Sequence, residues 1–380
     1  LSRVHRLLLL ASAVVFVDTL FFAALTPLLP HYAHQLHLGK TGAGVLAASY
    51  PAGALIGAIP SGVVAARLGV KPTVLVGMTS VAVCIALFGI ADEAWQLDTA
   101  RFLQGLASSF TWTGALAWLV AGTPPERRGT VIGQAFAAAV GGALLGPVLG
   151  GVASVLGVGW TFGAVAAASG ALVVWAATMP AERPEVPQPV SMLVGAFADP
   201  QVRTGAWLVL LPALLFGTLA VLAPLRLSHL GYGSVAIGAV FLCAAAVEGI
   251  NNLMLGRASD RHGPMQLLVL GCAGSAVVAA LLPWPGDALA LAVLVVCAGL
   301  AFGTFFTPAM TLLADLAELR GLDYGYAFAI VTLAWAPGQT LGAAGGGALA
   351  HLTSDAVPYL VLSAVCVLTL ARLWPGRRAP

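Results

Sequence analysis

The sequence predicts an all-α polytopic membrane protein with twelve transmembrane helices arranged as two six-helix bundles. Three observations carry this. Of 380 residues, 59% are hydrophobic and only 8% charged, where a soluble domain carries roughly 25% charged residues. Mean hydropathy is +0.96, more apolar surface than a globule could hide from water. The apolar runs last about 18 to 25 residues, the length that crosses a bilayer as a helix, and not the ten-residue alternation of a barrel strand. Backbone in hydrocarbon must satisfy its own hydrogen bonds, so these runs are helices.

The spans are placed at 6–30, 43–65, 72–91, 97–121, 130–154, 157–179, 203–226, 232–255, 265–283, 288–314, 323–349 and 356–374. Span one continues past Asp18 to Pro30, too far for the apolar core of a secretory signal, so it is taken as a membrane span. Between Pro180 and Val202, Glu182, Arg183, Pro184, Glu185, Pro187 and Pro189 form a stretch unable to continue a helix. It divides the chain into an N-terminal bundle (1–180), a linker (181–202) and a C-terminal bundle (203–380). Of 17 Lys and Arg residues, fourteen fall on the side of the termini. Lys40 and Arg226 lie opposite and Arg101 lies within a span. This bias puts both termini in the cytoplasm, in a cell (inner) membrane. The halves repeat: Pro30, Gly44, Gly62, Arg67 and Gly69 recur 194 residues on as Pro224, Gly238, Gly256, Arg261 and Gly263. A second set, Gly133, Ala135 to Ala137, Gly146 and Gly150, recurs 192 residues on as Gly325, Ala327 to Ala329, Gly338 and Gly342. Copies separated by six spans share one orientation, related by an axis along the membrane normal.

Polar groups kept inside spans are the candidate functional residues. Asp18 lies about twelve residues into span one, about 18 Å along a helix and near mid-membrane. An ionised carboxylate there is costly, so it either binds a proton or faces a polar cavity and pairs with a cation. A structural polar contact is the plain alternative. In span four Arg101 and Gln104 share a side with Asp98 a turn earlier, and a buried guanidinium needs an anion or water. An Asp98–Arg101 pair is the structural alternative. Glu248 in span eight has Asn252 a turn later and replaces Ala54 of the first half. That asymmetry suits a proton or substrate role, with helix-to-helix bonding as the alternative. Asp315 sits near the cytoplasmic end of span ten, where solvation is cheap and an interfacial contact fits equally well. Phe22, Ser108 and Trp112, and the row Phe302 and Phe306, would complete a solute surface with Asp18, Glu248 and Asn252. Lipid-facing or packing positions are the alternative for each aromatic.

In span five Gly142, Gly146, Gly150 and Gly151 recur at helical spacing, as do Gly338, Gly342 and Gly346 in span eleven, so a neighbouring backbone can approach. Pro147 removes a helix donor and bends span five. Cys84, Cys243, Cys272, Cys297 and Cys366 lie in apolar stretches as small hydrophobes. His31, His34 and His37 lack the acid or cysteine that would complete a metal set, so no metal or cofactor is expected. A net charge of +2 without a basic stripe gives no reason to expect nucleic acid.

Several segments together resemble the major facilitator superfamily. Gly62 to Lys71 (GVVAARLGVK) is similar to its loop motif between spans two and three, and Gly256 to Gly263 (GRASDRHG) to the second-half copy. Arg101 to Gly105 (RFLQG) resembles the span-four motif, and Gly142 to Gly151 (GALLGPVLGG) the span-five antiporter signature. These point to the branch of drug:proton antiporters with twelve spans. Asp18 to Pro30 (DTLFFAALTPLLP) and Thr307 to Leu316 (TPAMTLLADL) resemble bacterial relatives of vesicular monoamine transporters. The chain departs from the pattern at Ala66, where the loop acid is expected, and at Thr332, where span eleven should carry an acid.

The resemblance implies a proton-coupled exporter of a small organic solute, lipophilic or amine-bearing, working by alternating access as a monomer in the bilayer. It adds Asp315 and Arg101 as proton-coupling candidates to Asp18 and Glu248, which their places in the membrane already suggest. It also implies gating roles for Arg67, Lys71, Asp260 and Arg261, whose charges would pair with helix ends in one access state. The alternative is an exporter of a sugar or other metabolite on the same fold. A membrane enzyme or receptor is the other class considered, and no catalytic constellation supports an enzyme.

Overall fold

The computed structural model describes residues 3–124, 127–181, 189–262, 264–322 and 324–373, with the side chains of 253, 256–262, 324 and 325 outside the description. The described chain is helical throughout. The first half runs α1 (Arg3–Gln35), α2 (Lys40–Leu68), α3 (Val70–Gly89), α4 (Ala94–Ala121), α5 (Arg128–Leu156) and α6 (Val158–Thr178). After the linker helix α7 (Val190–Ala196) come α8 (Pro200–His229), α9 (Ser234–His262), α10 (Pro264–Leu281), α11 (Ala288–Leu319), α12 (Tyr324–Thr340), a π turn (Leu341–Gly345), α13 (Gly346–Leu352) and α14 (Ala356–Leu373). The π turn joins α12 and α13 into one span.

Among the described residues, eleven of these spans are long and apolar enough to cross a membrane. The twelfth, α4, has 28 residues, about 42 Å at 1.5 Å per residue, and is long enough to cross. It is held apart by polarity, because Arg101, Gln104, Ser108, Ser109, Thr111 and Thr113 are all buried on it. By contrast α6 buries only Phe162, Ser169 and Ala176, and it turns Trp160 and Val174 outward at 86% and 66% exposure. Apolar exposure of that extent suits lipid.

Local chemistry sets the breaks. Gly69 and Gly157 end α2 and α5 at φ of +97°, a backbone that side chains resist. Glu93 and Gln96 form a reciprocal capping box at the start of α4. Asp199 caps α8, accepting from Gln201 N at 2.7 Å, with Pro200 in the first turn. One expectation is corrected here: the stretch between the halves contains a seven-residue helix, α7, and α8 begins at Pro200. The prolines end at Pro189, which leaves Val190 to Ala196 free to wind, with Leu193 and Ala196 buried.

Each bundle has an equivalent tight helix pair. α5 lies on α1, with Gly142, Gly146 and Gly150 against the carbonyls of Phe16, Leu20 and Ala24. Gly338 and Gly342 meet the carbonyls of Leu210 and Leu214, and Gly346 meets Thr218 Oγ1. Phe16, Leu20 and Ala24 recur as Leu210, Leu214 and Thr218 at the 194-residue shift. The glycines that touch them recur 196 residues on, one helical turn beyond the 192 suggested by the sequence pattern. Gly151 lies off the stripe, toward Val235 of α9 at 3.7 Å from a built Cβ, and Pro147 O faces Gly238, also of α9.

The bundles meet where α2 packs on α12, the π turn and α13, where α5 packs on α9, and where α1 packs on α8 and α9. At the end carrying the α1–α2 loop, Lys40 Nζ pairs with Asp355 Oδ1 at 2.5 Å. Gly44 touches Ala343 O there, and Gly347 touches Lys40 O. At the other end Trp112 stacks on Phe328, with centroids 5.4 Å apart and planes at 8°.

Candidate functional site: two cavities between the bundles

Two cavities lie between the bundles. The larger, about 350 Å³, is bordered by Phe22, Thr26, Arg101, Pro147, Phe216, Phe241, Glu248 and Gln339. The smaller, about 270 Å³, is bordered by Tyr50, Ser108, Trp112, Phe136, Met310, Phe328 and Thr332. Phe22, Phe306 and Trp335 border both and form an aromatic partition, in which the Phe22 ring lies 4.6 Å from Tyr50 and 6.2 Å from Trp335. Apolar lining with a few polar groups is the usual make-up of a small-molecule site.

Asp18 is 1% exposed and borders neither cavity. Its Oδ2 accepts from Trp112 Nε1 at 2.9 Å and lies within hydrogen-bond distance of two hydroxyls, Ser108 Oγ at 2.5 Å and Tyr50 Oη at 3.1 Å. Its Oδ1 has no hydrogen-bond partner, and the residue borders a void of about 10 Å³ beside Met78, Thr111 and Ser169. The expectation that Asp18 touches solute is therefore corrected for this conformation. Span one turns the carboxylate inward toward α4, and Ser108, Tyr50 and Trp112 stand between it and the smaller cavity.

Arg101 is likewise 1% exposed. The expected alternative, a pair with Asp98, is not formed. Arg101 donates to Gln104 Oε1 at 2.9 Å, to Phe22 O at 3.3 Å and to Phe21 O at 3.5 Å. Its guanidinium carbon lies 5.2 Å from the Tyr50 ring centroid, 5.6 Å from Phe21 and 5.7 Å from Phe22, so aromatic faces replace water around the charge. It thereby ties α4 to α1 beside Asp18.

Glu248 borders the larger cavity with no hydrogen bond or ion pair among the described residues. Its side chain lies over Gly303, where a built Cβ would stand 2.7 Å from Glu248 Cγ. Under the 194-residue shift its place in the first half belongs to Ala54, whose carbonyl accepts from Ser109 Oγ at 2.9 Å. Asn252 takes its bland alternative: it accepts from Thr307 Oγ1 at 2.9 Å, as Asn251 donates to Thr304 Oγ1 at 2.8 Å, joining α9 to α11 away from both cavities.

Phe306 borders both cavities, whereas Phe302, one turn earlier, is fully buried against Phe216 at 5.5 Å and borders neither. Asp315 is exposed and outside both cavities. Arg67 is exposed. Lys71 donates to Ala177 O at 2.7 Å and Met179 O at 2.6 Å, closing the C-terminal end of α6 within its own bundle and not across the interface. The side chains of Asp260 and Arg261 lie outside the described residues. Sequence reasoning missed Tyr50, Trp335, Phe136, Phe328 and Gln339. The second-half copy of Ala135 to Ala137 could have flagged the two phenylalanines, since Phe136 and Phe328 both pack on Trp112.

Comparison with known proteins adds the following. The model of the Major Facilitator Superfamily matches residues 11–336. The MFS-type transporter ppzB of Metarhizium majus is 29% identical over 144 residues, 36% of this chain and 31% of that protein, so the match spans about a third of that relative's length. Multidrug resistance protein MdtG of Citrobacter koseri is 28% identical over 346 residues, 85% of this chain and 84% of that protein. A crystal structure of a D-xylose–proton symporter superposes with a TM-score of 0.79 over 98% of each chain at 14% identity, a likeness of fold. These proteins are transporters and not enzymes.

Proposed function

This chain belongs to the major facilitator superfamily, and from that premise we propose that it is a proton-coupled secondary transporter of a small organic solute, working by alternating access. The observation that carries the proposal is the pair of cavities between the bundles, with acids embedded on either side. The cavities suit the solute, and the embedded Asp18 and Glu248 suit the proton. On the charge bias, the Lys40–Asp355 end faces outward and the Trp112–Phe328 end faces the cytoplasm.

For the solute, a lipophilic or amine-bearing molecule fits the lining of the larger cavity, where Thr26, Arg101, Glu248 and Gln339 are the polar groups amid aromatic and aliphatic side chains. A drug-like molecule is in line with the name of MdtG, a multidrug resistance protein, and with the resemblance to drug:proton antiporters. A second reading is a sugar or related metabolite, in line with the sugar that the superposed D-xylose–proton symporter is named for. Arg101, Glu248 and Gln339 would then serve the solute's hydroxyls.

Inverted membrane vesicles containing the chain, energised to an acidic interior and followed with a pH-sensitive dye, test both. Collapse of the gradient on adding aromatic quaternary ammonium cations, absent from vesicles that lack the chain, supports the first reading. Collapse with D-xylose and no response to these cations selects the second, and no response to any solute of either class refutes proton-coupled transport.

A further inference from the structure

We infer that Glu248 anchors a cationic group of the solute, while Asp18 is a proton site that the solute does not touch. The inference deepens the proposed function and rests on its reading of a lipophilic solute. Asp18 is separated from the smaller cavity by the same three side chains that hydrogen-bond to it and does not border the larger, whereas Glu248 borders the larger cavity with no partner among the described residues.

Proton counting favours a proton at Asp18. Asp18 Oδ2, Ser108 Oγ and Tyr50 Oη form a closed triangle with sides of 2.5, 2.7 and 3.1 Å. With Asp18 ionised, two hydroxyl protons must serve three contacts. A proton on Oδ2 supplies the third, so the carboxyl donates to one hydroxyl, the hydroxyls chain together, and Trp112 still donates from the side. The bare Oδ1 agrees, because an unpaired buried oxygen costs less on a neutral carboxyl than on an ion. The charged group facing this triangle is Arg101, from α4, with Tyr50 the titratable group from α2.

The triangle also reaches the bundle interface. Tyr50 touches Phe22, which touches Trp335 of the C-terminal half, and Trp112 stacks on Phe328 of that half. Loss of the proton removes one of the triangle's three contacts and strengthens the others, so it rearranges side chains that touch the bundle interface, with no solute contact required.

Glu248 has the complementary properties. The charged group sharing its cavity is Arg101, whose two terminal guanidinium nitrogens donate to Gln104 and two carbonyls, while its Nε has no hydrogen-bond partner. Its neighbours on α11 are uncharged, Gly299, Gly303 and Phe306. A bound cation would give this acid the partner it lacks, with the faces of Phe306 and Trp335 nearby.

The test uses the full chain in nanodiscs and proteoliposomes with two probes of equal shape, benzyltrimethylammonium and its uncharged isostere neopentylbenzene. The wild type should bind the cation at least about tenfold more tightly, a difference of about 1.4 kcal/mol. Glu248→Gln should abolish that preference, and Gly303→Ala should reduce it by displacing the acid without removing it. Asp18→Asn should keep the preference and gradient-free exchange while losing accumulation driven by a pH gradient. Retention of the preference in Glu248→Gln, or its loss in Asp18→Asn, overturns the division of labour. A wild type that binds neither probe also overturns the cation site. Proton-driven uptake of D-xylose by the same vesicles would then leave proton-coupled transport standing.

Discussion

Replacing Gly142 by alanine tests whether the α1–α5 contact is as close as its glycines require. The added Cβ would stand 2.3 Å from Phe16 O and 3.0 Å from Leu20 N. A carbon normally approaches a carbonyl oxygen to about 3.3 Å, so the helices must separate by about 1 Å. These are backbone atoms, and no rotamer change relieves them. Overpacking of this kind costs about 1–3 kcal/mol. Asp18 lies on the side of α1 turned to α4, so a shift of α1 away from α5 moves it against its 2.5 and 2.9 Å bonds to Ser108 and Trp112, which leave little slack. Gly342→Ala, 2.3 Å from Leu214 O, should behave alike in the C-terminal bundle. Gly163→Ala is the control: nothing lies within 4 Å of its built Cβ, so it should be neutral or gain up to about 1 kcal/mol of helix propensity. Thermal unfolding in detergent, followed by tryptophan fluorescence, reads all three. If Gly142→Ala unfolds at the wild-type temperature or above, the close contact and its role in seating Asp18 are wrong.

Trp112→Phe keeps the stack on Phe328 but deletes one donor to Asp18. It should cost about 1–3 kcal/mol of stability and depress gradient-driven uptake, and unchanged uptake would remove Trp112 from the coupling network. The Lys40–Asp355 pair is partly exposed, at 35% and 26% of the side chains. Breaking it with Lys40→Gln should therefore shift the balance of access states by no more than about 1 kcal/mol, roughly fivefold. Thiol labelling of a cysteine introduced at Ala350, buried on α13 where it packs on α2, measures that shift, and a change in labelling well beyond fivefold would contradict it. Outside the membrane-spanning segments, the Arg320 hydrogen bond, and then the Gln201 backbone N–H, hold the Asp199 carboxyl below its ordinary range. A depressed acid stabilises the fold above its unfolded pKa of about 4, and that contribution is lost as pH falls through the lower folded value. Amide exchange in the first turn of α8, corrected for intrinsic rates, should therefore accelerate below about pH 4 in the wild type and show no such step in Asp199→Asn.

The spans were legible because lipid leaves the backbone no alternative to helix, and their observed ends fall within a few residues of the apolar runs. The depth of Asp18 was legible for the same reason. Its rotation was not: a helix that is apolar on every side gives no periodic cue to the direction of one carboxylate, and Phe302 and Phe306, a turn apart, have different surroundings. Tyr50 escaped notice because a tyrosine between Ser49 and Pro51 looks like ordinary packing until α4 brings Ser108 to 2.7 Å. The repeat predicted equivalent halves correctly for α1 and α8. It slipped by one turn at the glycines of span eleven because only packing partners fix a helix register. Glu248 was legible as a break in symmetry, although the space made for it by Gly303 was not.

Simultaneous recording of proton and solute flux in sealed proteoliposomes, under an imposed pH gradient, tests proton-coupled transport most directly. Solute should leave its compartment as protons enter, a protonophore should abolish its accumulation, and Asp18→Asn should uncouple the two flows. Solute flux that follows its own gradient alone, unmoved by pH or by Asp18→Asn, would contradict the account.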